Sequence, residues 1–175
     1  AIQFTKEAEA GEMYIDLINQ NSSDKNSALK KFGDTKGKGF VFQTDLKYST
    51  GMCGNAQLFG ALTRVINTSA ANMVIPLIGV TSKGELYPSS QPGNIIGYLN
   101  SEVFTTVAVH VVPSINLYYI YINGVNINPD GYVFLSDTQK ATIAGTYSVD
   151  GTDYTLSDTD FILNAVRMYQ GNTGN

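Results

Sequence analysis

Residues 104–127 read FTTVAVHVVPSINLYYIYINGVNI. Two runs rich in β-branched and aromatic residues flank Pro113-Ser114, and a second break follows at Asn123-Gly124. Asn-Gly readily supplies the two positive φ angles of a type I′ turn, whose twist suits antiparallel neighbours. The stretch therefore predicts a hairpin about Pro113-Ser114 and a short return strand over residues 125–128. Together these make a three-stranded antiparallel meander.

Side chains in a strand alternate between faces. Tyr118, Ile120 and Ile122 share one face, and Tyr119 and Tyr121 share the other. The first set is the more apolar and is assigned to the core. Tyr119 and Tyr121 then stand on an outer sheet face, and His110, set between Val109 and Val111, joins them.

The same signal recurs outward from this stretch. Runs at 12–19, 39–48, 57–66, 72–80, 94–99 and 160–170 are rich in β-formers and bounded by Gly, Pro, Asn, Asp or Ser. Helical spacing is confined to residues 24–33, DKNSALKKFG, where Asp24 is a cap and Gly33 a stop. Many short strands with turn-rich links predict an all-β, two-sheet antiparallel sandwich or jelly roll. Helix content is expected below about a tenth, against about a third in an average domain.

A chain of 175 residues suits one domain. It is read as a single unit over 1–171, with 172–175 opening a linker. Charged residues are 15% of the chain, well under the roughly 25% usual in soluble domains. The net charge is -4, and the lysines at 25, 30, 31, 36 and 38 are diluted by Asp24 and Asp34. A nucleic-acid partner is not expected, since such partners need a basic patch. No apolar run approaches the roughly 20 residues of a membrane helix, so no membrane span is expected. Cys53 is the sole cysteine and His110 the sole histidine. That excludes an internal disulfide and argues against a compact Cys/His metal centre. The N-terminal segment lacks the pattern of a signal peptide. The chain is read as an excised or processed module with flanking domains.

Three stretches carry a family resemblance. Tyr121-Ile122-Asn123-Gly124-Val125 is similar to the strand-and-turn of the concanavalin A-like, laminin-G-like jelly-roll domains. Residues 39–48, GFVFQTDLKY, resemble an early strand of that family. Residues 164–171, NAVRMYQG, resemble its closing strand, with Leu163 where Asp often stands. The resemblance implies a concanavalin A-like jelly roll over nearly the whole chain, of the kind found as carbohydrate-binding modules in bacterial extracellular proteins. It also implies that structural Ca²⁺ is frequent.

The candidate ligand-binding set is Tyr119, Tyr121, Arg167, Tyr169 and His110, on the concave face of one sheet. Arg167 and Tyr169 alternate against Ile162, Asn164, Val166 and Met168, as the tyrosines of 119 and 121 do against their neighbours. Sugar C–H faces lie flat on aromatic rings, and tyrosine keeps its hydroxyl wet while giving contact area. Asp150, Asp153, Asp158 and Asp160 form an acidic, loop-rich stretch suited to the oxygen donors that Ca²⁺ prefers.

Catalytic signals are absent from the pattern. Retaining glycosidases need two carboxylates about 5 Å apart. No Glu-x-Asp-x-x-Glu pattern occurs; Glu7, Glu9 and Glu12 lie in the polar N-terminal segment, and Asp158 and Asp160 at a strand entry. No Gly-x-Ser-x-Gly elbow and no Walker spacing occur either. The expected function is a non-catalytic carbohydrate-binding module, secreted or cell-surface and monomeric. The alternatives are an adhesion or spacer module that binds protein, and a jelly-roll glycoside hydrolase or polysaccharide lyase.

Overall fold

The computed structural model describes residues 39–47 and 75–139 in full, and the backbone of strands at 2–6, 13–17, 25–31, 56–64, 72–74, 146–149, 152–155 and 163–171. Strands dominate. They are β1 (Ile2–Lys6), β2 (Met13–Leu17), β3 (Lys25–Lys31), β4 (Phe40–Leu46), β5 (Ala56–Arg64), β6 (Asn72–Val80), β7 (Glu85–Pro88) and β8 (Gly97–Tyr98). Then follow β9 (Thr105–Val112), β10 (Leu117–Ile122), β11 (Val125–Asn126), β12 (Tyr132–Val133), β13 (Thr146–Val149), β14 (Thr152–Thr155) and β15 (Leu163–Gly171). Helix among the described residues is a 3₁₀ turn at Pro113–Ile115 and a turn at 137–139. Ser136 and Gln139 bracket the latter reciprocally: each backbone N–H donates to the other's side-chain oxygen.

The strands form two large antiparallel sheets. One has six strands in the order β3-β15-β5-β6-β7-β8. The other has five, β11-β10-β9-β4, with β12 also pairing β10. Among the described residues, two hairpins, β1-β2 and β13-β14, pair apart from these sheets. From β3 the chain crosses to the five-stranded sheet for β4, returns for β5 to β8, crosses again for β9 to β12, and closes the six-stranded sheet with β15. The protein is thus the all-β, antiparallel jelly-roll sandwich that the strand pattern predicts.

The core lies between the sheets. Ile75, Leu77, Ile78, Val80 and Leu86 of the six-stranded sheet meet Val107, Val109, Val111, Tyr118 and Ile120 of the five-stranded one. Burying each such side chain contributes about 1.5–3 kcal/mol. The sheets approach closely at their margins: a Cβ on Gly97 would stand 2.6 Å from Ile122 Cδ1. Pro76, which has no N–H to give a ladder, lies opposite Gly60, beside a register shift between Phe59 and Gly60.

The meander over 104–127 forms as expected. β9 pairs β10 from Val112↔Leu117 to Val107↔Ile122, and β11 returns antiparallel. Asn123 and Gly124 have φ of 49° and 80°. The first connection closes the expected hairpin through residues 113–116. Pro113 opens a 3₁₀ turn, and Asn116 takes a left-handed φ of 55° before β10 begins. Residues 24–33, expected as a helix, instead supply β3, which pairs β15 over seven positions from Lys31↔Ala165 to Lys25↔Gly171. Helical propensity is a weak prior, and a sheet edge with free donors and acceptors overrides it. The run at 94–99 shortens to Gly97–Tyr98.

Candidate functional site

The outer face of the five-stranded sheet is built by alternation on β4, β9 and β10. Along β9, Val107, Val109 and Val111 are fully buried, so Thr106, Ala108, His110 and Val112 face away from the core. Along β10, Tyr118 and Ile120 are buried while Tyr119 and Tyr121 remain part-exposed. Along β4, Val41, Gln43 and Asp45 are exposed, between Phe40, Phe42, Thr44 and Leu46, which are partly buried.

Register aligns these residues into rows. Val41, His110 and Tyr119 lie side by side, and so do Gln43, Ala108 and Tyr121, with Asn126 beyond Tyr121. The His110 and Tyr119 rings stand 5.9 Å apart at centroids, tilted by 37°. Tyr119 also lies against Gly131, where an added Cβ would fall 3.0 Å from Tyr119 Cε1. A third row is internally satisfied. Thr106 Oγ1 donates to Asp45 Oδ1 at 2.6 Å, and Thr106 N–H donates to Asn123 Oδ1 at 3.1 Å. Apolar groups flank the aromatics: Val41 is 63% exposed and Val133 55%.

The buried side of the same strand ties it to the other sheet. Tyr118 stacks on Tyr132 at 5.5 Å and donates its hydroxyl to the Leu77 carbonyl at 2.9 Å, bridging the two sheets. Burial pushes its phenol up to about 12, with hydrogen bonding from Ser90 and Ser89 pulling the other way. Burial also raises Tyr87 and Tyr132.

The five expected ligand-binding residues do not share a face. His110, Tyr119 and Tyr121 come together on the five-stranded sheet. Arg167 and Tyr169 belong to β15, inside the six-stranded sheet, where Arg167 lies level with Leu29, Gly60 and Pro76. Alternation within a strand fixes which residues share a side of that strand. It does not fix which sheet the strand joins, and that is where the expected grouping parts. The side chains of Arg167 and Tyr169 lie outside the described residues.

Of the four aspartates expected to hold calcium, Asp153 sits in β14 opposite Ser148, with its backbone alone described. Asp150, Asp158 and Asp160 lie outside the described residues, as does Cys53. Among the described residues, no group of three or more His, Cys, Asp or Glu is placed to hold a metal ion. No helix among them is long and apolar enough to cross a membrane.

Gln43, Thr106, Asn126 and Gly131 complete the face and were not singled out from sequence. Their signals were present. Gln43 alternates with Phe42 and Thr44, and Pro129-Asp130-Gly131 is a turn signature.

Fold and face together define an antiparallel β-sandwich whose five-stranded sheet presents aromatic, imidazole and amide groups. No family model matches the sequence, and no curated protein matches it. Two solved structures are similar in backbone. One is a mutant of Trypanosoma rangeli sialidase displaying trans-sialidase activity, at 13% identity and TM-score 0.40, covering 74% of this chain and 20% of that one. This chain thus spans about a fifth of that protein's length. The other is the carbohydrate recognition domain of Emp47p, at 14% identity and TM-score 0.35, covering 98% of this chain and 80% of that one.

Proposed function

We propose that the protein is a non-catalytic module that binds a neutral polysaccharide on the outer face of the five-stranded sheet. The observation that carries this is the grouping of part-exposed Tyr119, Tyr121 and His110 on one face, with Gln43 and Asn126 beside them. Rings give contact area to sugar C–H faces, and the amides and imidazole hydrogen-bond to hydroxyls. Asp45 is the carboxylate of the strand rows, and Thr106 already donates to it. No second carboxylate stands beside it in these rows among the described residues, which favours binding over hydrolysis. The resemblance of residues 104–127 to lectin-like jelly rolls supports the same reading. A secreted or cell-surface location, a monomeric state and flanking domains complete the proposal. Structural Ca²⁺ at Asp150, Asp153, Asp158 and Asp160 is also proposed, from the sequence alone.

The exposure of Val41 and Val133 beside the aromatic row favours a second reading, adhesion to a protein. Affinity electrophoresis through gels carrying hydroxyethyl cellulose, xylan, galactomannan or soluble starch separates the two. Retardation in at least one gel, without release of reducing or unsaturated ends, is expected. Release of such ends promotes the enzyme, and no retardation in any gel promotes the protein-binding reading.

A further inference from the structure

Tyr119 is held by a segment outside its own strand. Between β11 and β12 the chain turns through Asn128-Pro129-Asp130-Gly131, closed by Gly131 N–H on the Asn128 carbonyl at 3.0 Å. Asn128 closes the turn again, its Nδ2 donating to the Gly131 carbonyl at 2.8 Å. Asn128 Oδ1 accepts from Asp130 N–H at 3.3 Å, and Asn126 Oδ1 accepts from Asn128 N–H at 3.1 Å. Pro129 fixes its own φ, which suits the second position of such a turn. Gly131 has φ of 76°. Its bare Cα lies against the Tyr119 ring: a Cβ there would stand 3.0 Å from Cε1 and 3.3 Å from Cζ. The His110 ring is the aromatic neighbour of Tyr119.

We propose that the Asn128–Gly131 turn is a positioning element of the polysaccharide site, with Asn128 and Gly131 acting through Tyr119. The inference rests on the reading of the face given above and adds what sets its geometry. A ring free to rotate must be ordered when a sugar docks, which weakens binding; a ring seated on Gly131 and His110 is already ordered. Glycine suits position 131 twice: its φ is positive, and a Cβ there would press the ring aside by a few tenths of an ångström. Asn128 is required because a carboxylate of the same shape cannot donate to the Gly131 carbonyl.

The experiment compares the parent with Asn128→Asp and Tyr118→Phe, the latter a destabilised control away from the face. Two quantities are read: affinity for whichever of the four polysaccharides retards the parent, and the proton chemical shift of Gly131 Hα, which the Tyr119 ring current displaces. Asn128→Asp is expected to lower affinity about two- to tenfold and to move the Gly131 Hα shift toward its unstructured value. Tyr118→Phe should leave both unchanged. Parent-like affinity in Asn128→Asp, with the Hα shift lost or kept, overturns the positioning role and leaves the binding reading standing. Loss of affinity with the Hα shift kept overturns it too, since Asn128 would then act without moving the ring. A parent that no polysaccharide retards overturns the site and this role with it.

Discussion

Tyr118 and Tyr119 show how far adjacent residues of one type diverge. Tyr118 is buried against Tyr132, with its phenol held at about 12 against an ordinary 10.0. The folded state therefore holds this proton more tightly than the unfolded chain. Its contribution is complete below pH 10 and is lost as pH rises through 12. Urea unfolding across this range should show stability falling, and Tyr118→Phe should fall less steeply. At neutral pH the same variant should be weaker by about 1 kcal/mol, for one lost buried hydrogen bond. An equally steep alkaline fall in the variant would show that other groups carry it. Gly79 offers a second residue-scale test. A Cβ there would lie 2.2 Å from Tyr87 Cζ, so Gly79→Ala must displace the ring. It should cost about 1–3 kcal/mol. Gly93→Ala, with nothing within 4 Å of its Cβ, should stay within about 0.5 kcal/mol of the parent.

At the scale of elements, the connection from β9 to β10 is pinned by one amide. Asn116 Nδ2 donates to the Leu135 carbonyl at 3.0 Å, and Asn116 Oδ1 accepts from Leu135 N–H at 2.9 Å. The segment after β12 is thereby fastened to the meander as a strand would be. Asn116→Ala should lose about 2–4 kcal/mol, for two hydrogen bonds and a left-handed backbone without a tolerant residue. Asn116→Gly keeps the backbone and should recover about 1 kcal/mol of that. Equal melting temperatures for the two variants would contradict the backbone part. The same element shows what was legible from sequence. Alternation at Tyr118 to Tyr121 and the Asn123-Gly124 turn are local, and both appear as read. Lys25–Lys31 was not legible, because its strand exists through pairing with β15, more than a hundred residues away in sequence. Pairing over such distances also decided that Arg167 and Tyr169 join the other sheet. The turn at Asn128–Gly131 carried a readable signature, but its contact with Tyr119 needed the fold.

At the scale of the whole molecule, two sheets share one core and leave the outer face of the five-stranded sheet to bear the aromatic row. Metal that binds the native state and not the unfolded chain raises stability by mass action, by about 2.7 kcal/mol at a hundredfold excess over Kd. The proposed calcium should therefore raise the melting temperature over that in chelator, and an unchanged value would contradict it. The central claim is tested most directly by titrating the polysaccharide that retards the parent into Tyr121→Ala, with folding checked by circular dichroism. Removing a contact ring of this size should cost about 1.5–3 kcal/mol, roughly tenfold in affinity or more. Tyr121 is part-exposed, so the variant should stay folded and bind at least tenfold more weakly. A folded Tyr121→Ala that binds the polysaccharide as tightly as the parent would contradict the account.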